Sequence, residues 1–265
     1  MKSYKDIPYK KTDLNECILD VHLPDADVFP VYIYFHGGGL ESCDKVAEGN
    51  AFIKPLVNKG VAVVSANYRM YPNAAYPDFI CDAAAAVAWA LEHMKEYGNP
   101  TSFFAGGSSA GAYLSQMICF DKKYLNAYGI NADVLDGYVH DAGQPTVHYN
   151  VLRERGIDTR RVVIDESSSI YHITDKRDYP PMLIVVSDND MPNRLEQTTL
   201  LVSTLKQFGC GEDKINFVIM KDSTHCSYVN KLNADATCDY ADMIYNFIKN
   251  TNSFKDTEVK STSFN

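Results

Sequence analysis

The sequence predicts an α/β fold in which a mostly parallel β-sheet is covered by helices on both faces. Short runs rich in β-branched and aromatic residues recur along the chain, and such runs are typical of buried strands. Longer helical patterns lie between them, at the spacing that βα units require. The 265 residues, 46% of them hydrophobic and 22% charged, are enough to bury one large core.

Six buried runs predict strands, and helices are predicted between them. The strand runs are 31–36 (VYIYFH), 61–68 (VAVVSANY), 102–107 (SFFAGG), 134–140 (VLDGYVH), 181–187 (PMLIVVS) and 215–220 (INFVIM). The helices are predicted at about 46–59, 78–97, 110–127, 193–209 and 236–249. The earlier segment NECILDVHLP alternates between polar and apolar residues, which is typical of an antiparallel edge strand.

One long stretch, about 144–177, breaks this alternation. It contains LRERGIDTRR, with four of the chain's seven arginines, and continues into the loop-like DESSSIYHITDKRDYP. Insertions of this length between strands are usually functional. We therefore predict one domain over residues 1–265 with a small cap-like insertion at about 144–177. The arginines have two interpretations, a contact for an anionic substrate or a solvated helix face, and the second is the more common case.

Charge and composition exclude several classes of partner. The net charge of −9 leaves no broad basic face, so no nucleic-acid partner is predicted. No run of eighteen apolar residues and no signal-peptide-like apolar run occurs, so we expect no membrane association and a cytoplasmic protein. The seven cysteines are scattered without a C-x-x-C pair, which favours reduced thiols over a disulfide framework or a zinc site.

The stretch FAGGSSAGA, residues 104–112, contains the pattern G-x-S-x-G with Ser109 at its centre. It directly follows a predicted strand and directly precedes a predicted helix, which is the setting of a nucleophile elbow. Small residues two positions before and after the serine let strand and helix approach each other. With Ser108 at the centre, the second flanking position would be Ala110, and the pattern fails. Ser109 is therefore the predicted nucleophile.

Three glycines follow another predicted strand in the stretch HGGG, residues 36–39. Alone, this stretch is also explained as a turn that leaves the strand. Together with the serine elbow it predicts an oxyanion hole, because N–H groups near Gly37 and Gly38 and the N–H of Ala110 can converge on the oxygen of a tetrahedral intermediate. Glycine suits these positions since a side chain would keep the substrate carbonyl away from the donors.

A nucleophilic serine needs a histidine as base and a carboxylate that orients it, in the chain order serine, acid, histidine. His225 lies between the last predicted strand and the final helix, and it is the predicted base. His140 ends a predicted strand, where it can line the site, and it is at least as well explained as a buried structural histidine. His148 and His172 belong to the insertion and are predicted to be surface or lid residues.

Two aspartates follow the predicted strand 181–187 and compete for the role of the acid. A residue a few positions into the loop points toward the histidine loop, which favours Asp190. Asp188 is the alternative, and its other interpretation is a loop or helix-capping carboxylate.

These motifs, with the stretch NYRMYPNAAYPDFICDAAAAVAWALEH between them, resemble the α/β-hydrolase esterases of the hormone-sensitive-lipase-like group and their bacterial acetyl esterase relatives. The resemblance spans roughly residues 30 to 250 and implies the α/β-hydrolase fold and the catalytic plan of an esterase. The positions that match the family's pattern within that stretch are Tyr68, Arg69, Pro72, Tyr76, Pro77, Asp82 and Trp89.

The chain departs from that family pattern at a few positions. Many relatives carry an acidic residue where this chain has Ser108, and a glycine where it has Ala112. The acid loop reads Asp190-Met191-Pro192 in place of aspartate-proline-leucine. About thirty residues precede HGGG, too few for the N-terminal cap of the lipase-like members, so an open acyl pocket, or one built from the insertion, is expected.

The predicted function is hydrolysis of small carboxylic esters through an acyl-enzyme, with short acyl groups such as the acetyl groups of sugars as the expected substrates. No metal or organic cofactor is expected, because each catalytic role has a residue. Amide hydrolysis, as in arylformamidases or peptidases, is an alternative because the same triad cleaves both bonds. A non-catalytic binding protein on the same fold is a further alternative, although such a protein would be expected to lose the base.

Overall fold

The computed structural model describes residues 1–10, 16–46 and 50–262, and side chains up to residue 252. Within these residues, eight strands form one sheet. The strands are β1 (Lys2–Pro8), β2 (Ile18–Leu23), β3 (Val28–Phe35), β4 (Ala62–Ala66), β5 (Asn99–Ser108), β6 (Gly137–Asp141), β7 (Met182–Asn189) and β8 (Ile215–Thr224). Their order is β1-β2-β4-β3-β5-β6-β7-β8. From β4 to β8 all neighbours pair in parallel, whereas β1 and β2 are antiparallel.

Helices cover both faces of the sheet, as predicted. They are α1 (Ile53–Asn58), α2 (Asp78–His93), α3 (Ala110–Phe120), α4 (Lys123–Asn126), α5 (Tyr149–Glu154), α6 (Arg194–Gln207) and α7 (Asp239–Thr262). Successive side chains of a strand point to opposite faces of the sheet. On one face, β3 contributes Val31 and Ile33 to the core beneath α2, α3 and α6. On the other face, it contributes Tyr32 and Tyr34 to the core beneath α1 and α7. None of the helices in the described part of the chain has the length and apolar character that a membrane span requires.

The prediction for the N-terminal strands is only partly right. β2 is antiparallel, as expected, but it is not the edge strand, because it pairs with β1 on one side and β4 on the other. β1 is the edge strand at this end of the sheet. Most of its side chains are exposed, so no apolar alternation marks it in the sequence.

Helix boundaries differ from the predicted ones at a few places. The first predicted helix, 46–59, begins only at Ile53, and its residues 47–49 lie outside the described part of the chain. The helix predicted over 110–127 is two helices, α3 and α4. They separate at Asp121, whose backbone is extended and whose carboxylate accepts a hydrogen bond from the N–H of Lys123 at 3.2 Å. The last helix runs on to Thr262.

The segment 144–177, predicted to be a cap-like insertion, packs on α3. It contains α5 and a short 3₁₀ turn at Ser169–His172. The hydroxyl of Tyr113 on α3 donates to the carbonyl of Ser167 at 2.8 Å, and Ser169 donates to the side chain of Gln116 at 2.9 Å. The helix that follows the serine elbow is therefore held by the insertion on one side and by the sheet on the other.

Candidate active site

Ser109 lies at a sharp turn between β5 and α3. Its φ of 55° and ψ of −114° are rare for a residue with a side chain, and such strain persists only where the surroundings impose it. Here the N–H of Ser109 donates to the carbonyl of Asp141 on β6 at 2.7 Å, and its carbonyl accepts from the N–H of Tyr113 at 3.1 Å. The turn is thus fixed at both ends by hydrogen bonds.

The two glycines that flank Ser109 bring the strand and the helix into contact. A Cβ atom on Gly107 would lie 2.4 Å from the carbonyl carbon of Gly111, and a Cβ on Gly111 would lie 1.9 Å from the carbonyl oxygen of Phe35. Both distances are far below van der Waals contact. The prediction that small residues allow this close approach is confirmed.

The structure brings Ser109, His225 and Asp190 into one hydrogen-bonded chain. The hydroxyl oxygen of Ser109 lies 2.8 Å from Nε2 of His225, and Nδ1 of His225 lies 2.6 Å from Oδ1 of Asp190. The Asp190 side chain is almost fully buried, with 1% of its surface exposed, whereas 25% of the His225 side chain is exposed. A serine, a base and a buried carboxylate are therefore arranged for proton transfer from the hydroxyl.

The surroundings of Asp190 keep its carboxylate ionised. Burial raises the pKa of Asp190, but the hydrogen bond and the charge of His225 lower it, and the net shift is below the ordinary value of 3.8. The N–H of Met191 adds a hydrogen bond at 2.7 Å, and that of Ser187 adds one at 3.3 Å. A charged carboxylate at this place holds the proton of His225 on Nδ1 and leaves Nε2 to accept from Ser109.

Asp188 has different partners. Its carboxylate accepts hydrogen bonds from the N–H groups of Asp222 at 3.0 Å and Ser223 at 3.2 Å. These contacts join the end of β7 to the end of β8, just before His225. Asp188 therefore stabilises the loop that carries the histidine without contacting its ring.

The glycine segment 36–39 lies directly beside Ser109. A Cβ on Gly37 would be 3.2 Å from the carbonyl oxygen of Ser108 and 3.4 Å from Cβ of Ser109. Gly38 has φ of 98°, and a Cβ there would be 2.0 Å from the carbonyl oxygen of Ser42, so only glycine fits. Gly37, Gly38, Ser109 and His225 line one cavity of 330 Å³.

Ala110 is the first residue of α3 and is fully buried. Its N–H therefore belongs to the N-terminal turn of the helix, where backbone donors have no partner within the helix and the helix dipole is positive. All three residues predicted for the oxyanion hole border Ser109, either in sequence or in space.

A family comparison agrees with this geometry. The family model for BD-FAE matches residues 19–151, half of the chain, which include the glycine segment and the serine elbow. The chain belongs to the BD-FAE family.

Known proteins similar to this BD-FAE chain include esterases and a formamidase. The probable carboxylic ester hydrolase LipM of Mycobacterium tuberculosis is 27% identical over 206 residues, which is 69% of this chain and 47% of LipM. Kynurenine formamidase of Danio rerio is 26% identical over 234 residues, 86% of this chain and 76% of that protein. The chain spans about half the length of the mycobacterial relatives LipM and LipC.

Among solved structures, a truncated carbohydrate esterase from gut microbiota superposes with a TM-score of 0.76 at 20% identity. The match covers 96% of this chain and 97% of that one. The prediction of an α/β-hydrolase fold and of a relationship to carboxylesterases is confirmed.

Tyr68 of the BD-FAE chain supports the glycine segment, a role that its place in the family pattern did not reveal. Its ring stacks on that of His36 with centroids 4.5 Å apart, and its hydroxyl donates to the carbonyl of His36 at 2.8 Å. Burial lowers the pKa of His36 to about 4, so its ring is neutral at physiological pH. Next to Tyr68, Arg69 forms a two-pronged ion pair with the buried Asp82 at 2.8 and 3.0 Å.

A buried carboxyl group behind Ser109 was not recognised from the sequence. Asp141 is fully buried, pairs with Ser108 in the sheet register and accepts a short hydrogen bond from the hydroxyl of Tyr228. Burial raises the pKa of Asp141 to about 6 against the lowering effect of Tyr228. Its position at the carboxyl end of a strand next to the elbow is the signal that could have identified it.

The remaining histidines have structural surroundings. His140 is fully buried and lies 2.8 Å from the hydroxyl of Ser115, and burial lowers its pKa to about 3. His148 was predicted to be a surface or lid residue. The surface interpretation is wrong, because His148 is 2% exposed and its ring accepts a hydrogen bond from the N–H of Asn150 at the start of α5. His172 contacts the carbonyl of Glu166 at 2.9 Å.

The potential metal ligands of the described residues are dispersed. Across residues 1–10, 16–46 and 50–262, no three histidine, cysteine, aspartate or glutamate side chains converge as the ligands of a metal ion would.

Proposed function

We propose that the chain is a serine hydrolase that cleaves small carboxylic esters through an acyl-enzyme. The observation that carries this proposal is the hydrogen-bonded chain of Ser109, His225 and Asp190, with distances of 2.8 and 2.6 Å, on a strained turn between a strand and a helix. A strained serine at the end of a parallel strand, in reach of an imidazole, is the arrangement that acyl transfer needs.

The reaction has two halves. Ser109 Oγ attacks the ester carbonyl carbon while its proton passes to Nε2 of His225. The tetrahedral intermediate collapses, the bond to the alcohol oxygen breaks, and His225 returns the proton to that oxygen. Water then attacks the acyl-enzyme with His225 again as base, and the carboxylic acid leaves as the proton returns to Ser109. Asp190 orients the ring and stabilises its cationic form.

The oxyanion of the intermediate is assigned to the N–H groups of Gly37, Gly38 and Ala110. The contact of Gly37 with Ser109 and the position of Ala110 at the start of α3 support this assignment. Donors held by the backbone need no rearrangement as the negative charge forms, which is why such sites lower the barrier by several kcal/mol, about 3 for a single donor.

Short acyl esters, including acetylated sugars, are the proposed substrates. The cavity at Ser109 has a volume of 330 Å³, and its lining includes the polar side chains of Asp44 and Asn50. The small volume suits a short acyl chain better than a long one, and the polar groups in the wall can bind a hydroxylated alcohol. The name of the structural neighbour, a carbohydrate esterase, points to the same substrate class.

Amide hydrolysis is the second candidate. The similarity to kynurenine formamidase covers 86% of this chain, and the same triad can expel an amine once His225 protonates it. A formamide and an acetyl ester of similar size, compared by kcat/KM, separate the two candidates.

The remaining parts of the proposal concern setting and partners. We propose that the protein acts in the cytoplasm on a free small molecule and has no nucleic-acid partner. The net charge of −9 and the seven cysteines, all free thiols in the structure, support this.

The mechanism is tested with a serine-reactive fluorophosphonate. We expect a single adduct on Ser109 by mass spectrometry, and a loss of at least about 10⁴-fold in kcat for Ser109→Ala. Ser108→Ala, a neighbouring serine of the same turn, is the matched control and keeps the label. Full ester hydrolysis by Ser109→Ala would overturn Ser109 as the nucleophile. No adduct in the folded protein, together with no ester hydrolysis by the wild type, would favour a non-catalytic binding protein.

A further inference from the structure

A separate cavity of 270 Å³ lies next to the loop that carries Asp190. Met191 and Pro192, which directly follow Asp190, form part of its wall. Tyr149 forms another part, and the Tyr149 hydroxyl lies against Gly39, where an added Cβ would be 2.2 Å away from it. The second cavity therefore borders the same two segments, the acid loop and the glycine segment, that build the site around Ser109.

Three arginines line this cavity, and among the described residues no aspartate or glutamate does. Arg160 and Arg161 come from the insertion, and Arg194 is the first residue of α6. The other polar groups in the wall are amides and hydroxyls. In a chain with a net charge of −9, a cavity lined by three cations and no acid is suited to an anion.

Arg194 is a buried cation whose hydrogen bonds go to neutral acceptors. It is 4% exposed and donates to the carbonyl of Ala142 and, at 3.4 Å, to the side chain of Gln144. Burial lowers the pKa of Arg194, whereas the nearby charge of Asp190 raises it, but that carboxylate is already bound to His225. A buried charge is costly without a counter-ion, so a bound anion would offset this cost.

The arginines of the insertion differ in their partners. Arg153 pairs with Glu41 and Arg155 with Asp165, at 2.6 and 2.8 Å, and neither lines the cavity. Arg161 is exposed, and no ion pair joins it to an acid of the described residues.

Arg160 does line the cavity and forms an ion pair with Asp158 at 2.6 Å, with 88% of the Arg160 side chain exposed. Exposed ion pairs of this kind contribute little to the stability of the fold. Arg160 can therefore exchange Asp158 for a ligand.

We propose that this cavity is an anion-binding subsite that holds a carboxylate of the substrate, with Arg161 and Arg194 as its main donors and Arg160 as a third. The preferred substrates are then small esters that carry a carboxylate on the alcohol or on the acyl side. The proposal rests on the proposed ester hydrolysis at Ser109. It specifies in addition that the preferred ester is negatively charged.

Two matched pairs of esters test the preference and identify the side of the carboxylate. The first pair is 4-acetoxybenzoate and its neutral isostere 4-acetoxybenzamide. The second is mono-4-nitrophenyl succinate and 4-nitrophenyl butyrate. We expect kcat/KM of the anionic member of one pair to be at least about tenfold higher than that of the neutral member, which is the gain that one or two charge-assisted hydrogen bonds provide. We also expect this preference to decrease with added salt, because salt screens the charges. No preference in either pair contradicts the subsite.

Variants on the exposed side of the cavity assign the preference to the arginines. In Arg161→Gln we expect the ratio of anionic to neutral kcat/KM to fall about tenfold. In Asp158→Asn we expect the ratio to rise, because Arg160 loses its competing partner. Arg155→Gln, from the same cluster but outside the cavity, is the control and keeps the wild-type ratio. Equal ratios in the wild type and the Arg161 and Asp158 variants would overturn the proposal.

A binding measurement makes the subsite testable apart from turnover. In Ser109→Ala, calorimetric titration with 4-hydroxybenzoate is expected to show binding that 4-hydroxybenzamide lacks and that Arg161→Gln weakens about tenfold. If the wild type hydrolyses neither the neutral nor the anionic esters but this binding is present, the proposed function fails and the subsite stands. If neutral esters are hydrolysed and the carboxylate and the amide bind equally, only the subsite fails.

Discussion

At the scale of single residues, Asp188 and Asp190 differ in role because their carboxylates meet different donors. Asp190 contacts the ring of His225. Asp188 accepts hydrogen bonds from two backbone N–H groups at the end of β8. Both follow the same strand, and the sequence favours Asp190 only by its position in the loop. The contact with the histidine is a property of the folded loops, and it agrees with that preference.

Replacing each aspartate by asparagine tests these roles. We expect Asp190→Asn to lower kcat by about 10³- to 10⁴-fold, because an amide cannot hold His225 in the tautomer that accepts from Ser109 or stabilise its cation. Asp188→Asn, the matched control, is expected to stay within about tenfold of the wild type, since it loses only part of a backbone contact. Steady-state kinetics with one ester decides between them, and collapse of the Asp188 variant alone would reverse the assignment.

At the scale of elements, the serine turn depends on how closely β3, β5 and α3 approach one another. Gly107 and Gly111 permit that approach. A hydrogen bond from the N–H of Ser109 to the carbonyl of Asp141 joins the turn to β6. The elbow was predictable from the sequence because its signature is local: a strand, two glycines at fixed offsets and a helix. β1 was not, since a polar edge strand buries too little to leave a pattern.

Gly111→Ala tests this close contact. Its methyl group would lie 1.9 Å from the carbonyl oxygen of Phe35, and backbone cannot yield as a flexible side chain can, so we expect a loss of about 2 kcal/mol or more in the free energy of unfolding. Gly211→Ala, whose added Cβ would meet mainly the exposed carboxylate of Asp213, is the control and should change stability by less than about 0.5 kcal/mol. Urea denaturation of both variants provides the comparison, and equal stability would contradict the account.

At the scale of the whole molecule, the buried Asp141 links stability to pH. In the folded protein the pKa of Asp141 is about 6 rather than 3.8, because burial disfavours its charge. Between about pH 4 and pH 6 the folded state therefore holds a proton that the unfolded state releases. The contribution of this group is fully present below about pH 4 and is lost as the pH rises through about 6.

The size of this effect follows from the pKa difference, since one pKa unit is about 1.4 kcal/mol and the total is roughly 3 kcal/mol. We expect Asp141→Asn, which cannot titrate, to reduce the fall in unfolding free energy between about pH 4 and pH 7 by roughly this amount. Tyr228→Phe should increase the fall, because it removes a hydrogen bond that lowers the pKa of Asp141. Chemical denaturation at the two pH values measures both, and an unchanged fall in both variants would show that Asp141 does not titrate in this range.

The sequence by itself determined the fold class, the serine elbow and the glycine segment. Each of these depends on neighbouring residues, either on alternating strand and helix patterns or on the steric demands of a few positions around Ser109. Only the tertiary structure decided that Asp190 contacts His225, that Tyr228 binds Asp141 and that Arg194 shares a cavity with Arg160 and Arg161. The physical reason is that these partners lie tens of residues apart, so their contacts depend on how separate loops meet above the sheet.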